Sequence, residues 1–369
     1  MGKKLFIVTG EHSGDMHAAN VARELFQINP DVQIEGIGGE HLKNAGVKIF
    51  SPVEKMSAVG ISIKIILDHF KLGKKLVDYL ENEYKPDLVL LVDYGAFNLA
   101  LSKELKKRGI KTFYFIPPQV WASRKWRLRT IKKNIDKVLT IFPFEEDFYS
   151  QYKIDNVYVG HPLLGNLPDP VDKKEFFEKH NLDPNKKLIA VFPGSRMFEI
   201  KYLLNVFVGA VKILEEKLNN VQFVFSHATN LKESAFSVPY KTITGENQQL
   251  LSAADCAILA SGTVALESAI YETPMIIAYR GPILFYLIYL LVRQIKKACL
   301  VNIISKKDIV PEYLQFDCEA NKIAKGVENI MENPQIQINQ LQDFKETLSN
   351  KKCTFEVAKI INKEFEENG

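Results

Sequence analysis

The sequence predicts an α/β protein of two similar halves, each a parallel sheet wound with helices, followed by C-terminal helices, and three observations predict it. Unbroken apolar runs of strand length, Leu5–Val8, Leu88–Val92, Leu188–Phe192, Cys256–Leu259 and Met275–Ala278, alternate with helix-period segments. The chain has 369 residues, beyond the size at which one core stops growing. A stretch rich in proline and charge, Asn166–Lys187, then divides it and reads as an interdomain link. The expected division is 1–166, 167–318 and a helical tail, 319–369, packing on the first domain. Both halves are Rossmann-like in this reading.

Hydrophobic residues make up 46% and charged residues 25%, the balance of a globular protein with water-facing surfaces. The net charge of +4 suits anionic phosphate ligands or an anionic membrane surface and is too small to argue for nucleic acid. Four cysteines, Cys256, Cys299, Cys318 and Cys353, lie far apart without a C-x-x-C pair, so neither a zinc site nor a disulfide framework is suggested, and a reducing cytoplasm fits. MGKKLFIVTG runs straight into a strand and has no features of a signal peptide.

In the first half, Leu5–Val8 feeds Thr9-Gly10-Glu11-His12-Ser13-Gly14-Asp15 and a helix over Met16–Phe26. The turn lacks G-x-G-x-x-G, but Ser13 and Gly14 can bring backbone close to a ligand; a plain βα turn is the other reading. Strands follow at Val32–Ile37 and Lys48–Phe50. Ile63, Ile66, Leu67 and Phe70 then have helical spacing among Lys64, Lys71, Lys74 and Lys75, which suits either a sheet-covering helix or a basic face on lipid. Leu88–Val92 ends at Asp93, at the carboxyl end of a strand, where ligands gather in open α/β sheets. Asp93 reads either as a base or as a helix cap for Phe97 onward, ahead of the helical stretch Leu99–Lys107. Lys111–Ile116 is a strand running into the stiff loop Pro117–Arg124, and Lys137–Ile141, Phe144–Tyr152 and Val157–Val159 complete the half. His161, before a proline, reads as an acid or base, or more simply as a turn residue.

The second half restarts at Leu188–Phe192, whose Pro193-Gly194-Ser195-Arg196 turn opens the helix Glu199–Leu218 and is expected to form an anion site with a guanidinium. Gln222–Phe225, Lys241–Ile243 and the helix Asn247–Ala254 lead to the motif ADCAILASGTVALESAIYETPMIIA. There Ser261-Gly262-Thr263 opens a short helix, either as a phosphate turn or an ordinary cap, and Glu267 falls four residues on, on the same side, within reach of a ribose diol. The uncharged run Pro282–Val292 is about half of what a bilayer span needs. It is either buried all round or meets lipid, and Arg293, Lys296 and Lys297 follow it.

With GEHSGD, LVDYGAFN, PPQVWAS, GHPLL, PGSR, SGTVALE, LVN and VPEYLQ in this order over nearly the whole length, the chain resembles the lipid-A-disaccharide synthases. The resemblance implies two Rossmann-like domains facing across a cleft, the GT-B arrangement. It implies inverting transfer, without a required metal or cofactor, of 2,3-diacylglucosamine from its UDP carrier to 2,3-diacylglucosamine 1-phosphate, lipid X. It also implies peripheral association with the cytoplasmic face of the inner membrane; a homodimer stays open. Carried over residue by residue, Asp93 matches the family's base, Arg196 the diphosphate arginine, and Ser261, Gly262, Thr263 and Glu267 the donor turn and acid. Asn302, Glu312 and Gln315 match polar donor-cleft positions, and Ser13, Gly14, Asp15, Trp121, Ser195 and Gly245 are further expected substrate contacts. Ala96 replaces a second acid, Ser123 a tryptophan, and His12 a small residue. The competing readings are a UDP-N-acetylglucosamine 2-epimerase, which leaves the lipid-like run unexplained, and a non-catalytic sugar-nucleotide-binding protein, which leaves the charged site residues unexplained.

Overall fold

A computed structural model describes residues 2–52, 63–165, 167–231, 236–283, 286, 290, 293–295, 297–348 and 351–367, with backbone alone for 63–67. The chain forms two compact units, Met1–Leu164 with Ser349–Gly369, and Gly165–Leu348. In the first, β1 (Lys4–Val8), β2 (Gln33–Gly38), β3 (Lys48–Pro52), β4 (Leu88–Val92), β5 (Thr112–Phe115), β6 (Lys137–Thr140) and β7 (Asn156–Tyr158) make one parallel sheet in the order β3-β2-β1-β4-β5-β6-β7. In the second, β8 (Lys187–Phe192), β9 (Val221–His227), β10 (Lys241–Thr244), β11 (Cys256–Ala260), β12 (Met275–Tyr279) and β13 (Glu312–Leu314) follow the order β10-β9-β8-β11-β12-β13.

All five residues of β4, and nearly all of β8 and β11, are inaccessible to water. Such strands have no polar face and are stable only with helices on both sides, which is why the continuous apolar runs become central strands. Strand order reverses between β1 and β4, and again between β8 and β11. Loops leaving neighbouring strands part there, opening a crevice at the carboxyl ends. Asp93, the turn after β1, Ser195-Arg196 and Ser261–Thr263 all lie at these two points.

Two expectations about organisation change. The segment Asn166–Lys187 is not a bare link: Asp172 accepts from the backbone N–H of Lys174 and Glu175 at 2.8 and 3.0 Å, capping a helix Lys173–Lys179 that belongs to the second unit. The tail from 319 is also split. Helix Ala320–Glu332 packs on helix Met197–Lys217, and Pro334–Thr347 on Val264–Ile270, so both stay with the second sheet. Gln337 fixes this placement by exchanging hydrogen bonds with the Met275 backbone at 2.7 and 3.0 Å. Helix Cys353–Glu367 alone among the tail's helices packs on the first unit, against His12–Ile28. Asn29 to Asn362 at 3.0 Å and Lys352 to Glu24 at 2.6 Å flank that contact.

Helix Ile63–Tyr79 forms where the basic amphipathic spacing suggested. The side chains of Ile63, Lys64, Ile66 and Leu67, and most of the run Pro282–Val292 with Lys296, lie outside the described residues.

Candidate active site

In the first unit the site is built on a strained corner. Asp93 and Tyr94, directly after β4, both hold left-handed backbone conformations, with φ of 51° and 48°. Neither is glycine, so each stores about 1–3 kcal/mol that surrounding contacts must offset. Those contacts are present: the Asp93 N–H donates to Phe115 at 3.1 Å, and its carbonyl accepts from Asn98 Nδ2 and the Tyr114 hydroxyl, each at 2.8 Å. Tyr94 packs against Gly10 so closely that a Cβ there would stand 2.1 Å from the ring, so only glycine fits. Gly14 is buried against Asp93, its Cβ direction 3.7 Å from the Asp93 Cβ, while Ser13 is exposed beside it. The turn after β1 therefore meets Asp93, as its position suggested. Burial, and then the charge of Glu11, raise the Asp93 pKa, opposed by a hydrogen bond from the Tyr94 backbone. Its carboxylate is thus a stronger base than an ordinary aspartate.

Other first-half candidates hold the scaffold. Asp15 is fully buried, and its carboxylate accepts from the backbone N–H of Gly39 at 2.7 Å, His41 at 3.0 Å and Leu42 at 3.4 Å. It ties the first helix to the helix Glu40–Asn44. Trp121 is buried too, its indole N–H donating to Glu145 at 2.8 Å. Glu145 also accepts from the backbone of Ile141 and Phe142, both at 3.1 Å. Both have their polar groups paired inside the protein. His161 is likewise a turn residue, its Nδ1 accepting from the Leu163 N–H at 3.2 Å, with burial pushing its pKa down to about 4.

In the second unit, the Gly194 turn does not offer its backbone to a ligand. Glu199, three residues into the helix, folds back so that Oε2 accepts from the N–H of Ser195 at 2.9 Å and Arg196 at 3.1 Å. Gly194 has φ 114°, and a Cβ there would fall 2.4 Å from that carboxylate. An internal anion thus fills the backbone anion site expected at Ser195. The Arg196 side chain remains 73% exposed, its guanidinium touching Glu199 only at 3.5 Å, and is the group left for an external anion. The N-cap, N3-glutamate spacing of Arg196 and Glu199 was the overlooked signal.

Ser261, Gly262 and Thr263 follow β11, the strand paired with β8. Gly262 and Thr263 are exposed, and a Cβ at Gly262 would meet open space. Thr263 makes no side-chain cap bond to the helix Val264–Ile270, so its hydroxyl is not serving as the ordinary cap. Glu267 is largely enclosed, which raises its pKa, while a hydrogen bond from Gln248 opposes that shift. Gln248 lies in the helix Asn247–Ala253 that follows the Gly245 turn, φ 80°. Gln248 carries no sequence signal of its own.

Asn302, Glu312 and Gln315 are joined to the surrounding backbone as supporting struts. The Asn302 amide donates to Val310 at 2.7 Å and Glu312 at 2.8 Å, and its oxygen accepts from Ile309 and Val310, both at 2.9 Å. Glu312 also accepts from the Ala298 N–H at 2.7 Å, and Ser261 Oγ donates to the Ala298 carbonyl at 3.4 Å. The strut therefore reaches the Ser261–Thr263 turn through Ala298. Gln315 exchanges two hydrogen bonds, each 2.9 Å, with the Gly281 backbone.

Two Rossmann-like parallel-sheet units with an acid, an arginine and an open glycine turn at strand carboxyl ends define the class: an enzyme of the two-domain sugar-nucleotide type. Solved structures agree in fold. The glycotransferase of kitacinnamycin gives a TM-score of 0.69 at 11% identity, covering 99% of both chains. UDP-GlcNAc 2-epimerase from Neisseria meningitidis, bound to UDP-GlcNAc, gives 0.64 at 14%, covering 99% of this chain and 100% of that one. The lipid-A-disaccharide synthetase family model matches residues 5–364. Lipid-A-disaccharide synthase 1 from Legionella pneumophila (strain Lens) is 36% identical over 378 residues, 99% of this chain and 98% of that protein. Lipid-A-disaccharide synthase from Coxiella burnetii is 35% identical over 372 residues, 98% of each. The chain belongs to the lipid-A-disaccharide synthase family, and so to the glycosyltransferases that join a UDP-sugar donor to a lipid acceptor. The epimerase alternative is not favoured.

Proposed function

We propose that the protein transfers 2,3-diacylglucosamine from UDP-2,3-diacylglucosamine to the 6-hydroxyl of 2,3-diacylglucosamine 1-phosphate, forming the β-1,6-linked disaccharide 1-phosphate and UDP. The observation that carries the reading is Asp93, an aspartate of raised basicity in a strained corner at a strand-order reversal. Its carboxylate takes the proton of the acceptor hydroxyl as that oxygen attacks the sugar's anomeric carbon. The bond to the diphosphate breaks on the opposite face, inverting the centre. Negative charge collects on UDP, where the exposed Arg196 guanidinium and the Ser261–Thr263 turn offset it without a metal. Glu267 takes the ribose diol, and its enclosure keeps water from competing for it.

Salt-sensitive, peripheral association with the cytoplasmic face of the inner membrane belongs to the same reading. Phe70 is 75% exposed, and Lys71, Lys74 and Lys75 share its helix. Lys75 lies 5.6 Å above the Phe50 ring. No described helix is long and apolar enough to cross a membrane.

Mass spectrometry of purified protein incubated with diacylated donor and acceptor tests the reaction. The disaccharide 1-phosphate and UDP should appear together. Release or epimerisation of sugar from UDP-N-acetylglucosamine alone, without disaccharide formation from the lipid pair, would overturn it.

A further inference from the structure

The second unit carries a groove of about 650 Å³ that the proposed chemistry does not use. One wall is a face of the helix Met197–Lys217, with Lys201, Tyr202, Asn205 and Val206; the other comprises Arg280–Ile283 and Phe316. Ile283 and Phe316 are 59% and 67% exposed. Met197 and Phe198, also exposed, stand one turn ahead of Lys201 and Tyr202 on the same helical face. Such large apolar side chains gathered on one surface mark a binding site rather than scattered exposure.

Three observations identify the occupant. Among the described residues no acid lines the groove, whereas Lys201 and Arg280 do, and Asp317, next to Phe316, is paired with Lys322 at 2.9 Å. An apolar trough with cations and no carboxylate complements an amphiphile whose polar end is anionic. The groove also adjoins the donor arginine: Gly281, on its wall, faces the Tyr279 ring, 3.8 Å from its Cβ direction, and Tyr279 feels the charges of both Glu199 and Arg196. Finally, its floor is braced, since Gln315 clamps Gly281 through both backbone groups. The trough is therefore built before a ligand arrives.

We infer that this groove receives an acyl chain of the sugar-nucleotide donor while the diphosphate lies at Arg196. The inference rests on the reading of the donor as acylated, and adds where its chain goes. It assigns Ile283, Phe316, Tyr202 and Val206 to chain binding. Lys201 and Arg280, on the groove's walls, add to the positive field that the diphosphate meets at Arg196.

The test is calorimetric binding of UDP-glucosamine donors bearing long or short acyl chains, without acceptor, to wild type, to Ile283→Ser with Phe316→Ser, and to Asn205→Trp, which fills the trough from its exposed wall. Wild type should favour the long chain at least tenfold, as burial of several methylenes requires. Both variants should lose most of that preference while binding plain UDP as wild type does, which also shows them folded. Long-chain preference unchanged in both variants overturns the groove, whatever the turnover. Chain-dependent binding that vanishes in the variants, with no disaccharide formed by wild type, supports the groove and sinks only the proposed reaction.

Discussion

At the scale of single residues, Asp93 carries the sharpest expectation. Asp93→Asn should lower turnover by roughly two to four orders of magnitude, because it removes a base without changing size, and leave UDP affinity by calorimetry unchanged. Its pH behaviour follows from its surroundings. Asp93 acts ionised and its pKa is raised, so activity is lost as pH falls through a value above the ordinary aspartate range. Glu11 contributes to that rise, so Glu11→Gln should move the acid limb of kcat to lower pH; a stationary limb would remove Asp93 as the titrating base. Arg196→Ala should weaken UDP roughly 10- to 150-fold, the loss of one charge-assisted bond of about 1.5–3 kcal/mol. Glu145 and His161 set stability rather than catalysis. Burial lifts Glu145 from near 4.5 to about 7, so the stability it lends at low pH is lost as pH rises through that interval. Burial lowers His161 from 6.5 to about 4, so its contribution is present above 6.5 and lost as pH falls toward 4. The slopes oppose each other, each worth about 3 kcal/mol over its full interval. Urea melts at pH 5 and 7 should therefore show Glu145→Gln gaining stability with pH and His161→Gln losing it, relative to wild type.

At the scale of elements, the central strands were legible because burial on both faces leaves a continuous apolar run, as in Leu88–Val92. Asp93 was legible because such a run ends where ligands gather. The roles of Asp15, Trp121, Asn302, Glu312 and Gln315 were not. A polar side chain within a motif reads the same whether it faces a ligand or a backbone amide, and their partners lie 7 to 34 residues away, as the Trp121–Glu145 and Gln315–Gly281 pairs illustrate. Helix Glu40–Asn44 went unread because it exists through the Asp15 cap rather than its own periodicity. The β1 and β4 corners, by contrast, are mechanically joined by Gly10 and Tyr94. Gly10→Ala should cost about 1–3 kcal/mol through overpacking and slow turnover by tilting Asp93. Tyr94→Ala in the same chain should return part of that stability, and strict additivity of the two changes would show that the ring does not carry the contact.

At the scale of the whole molecule, the proposed membrane contact rests on charge and apolar exposure. Wild type should sediment with anionic vesicles at low salt and be released as salt rises. Neutralising Lys71, Lys74 and Lys75 together should weaken that binding roughly hundredfold, at about 1 kcal/mol for each cation. Sedimentation unchanged by both salt and these substitutions would place the lipid contact elsewhere.

The return of the helix Cys353–Glu367 to the first unit has a consequence for synthesis. Everything the second unit needs lies within one uninterrupted stretch, Gly165–Leu348, so its sheet and covering helices can close once that stretch has left the ribosome. The first unit, begun earlier, keeps the face of its first helix that packs on Cys353–Glu367 uncovered until those residues are made. At about 5–20 residues per second, some 200 further residues leave that apolar surface waiting for roughly ten to forty seconds. The half of the protein that is translated first is thus the half completed last, and the interval in which it is open to chaperones or to aggregation is written into its topology.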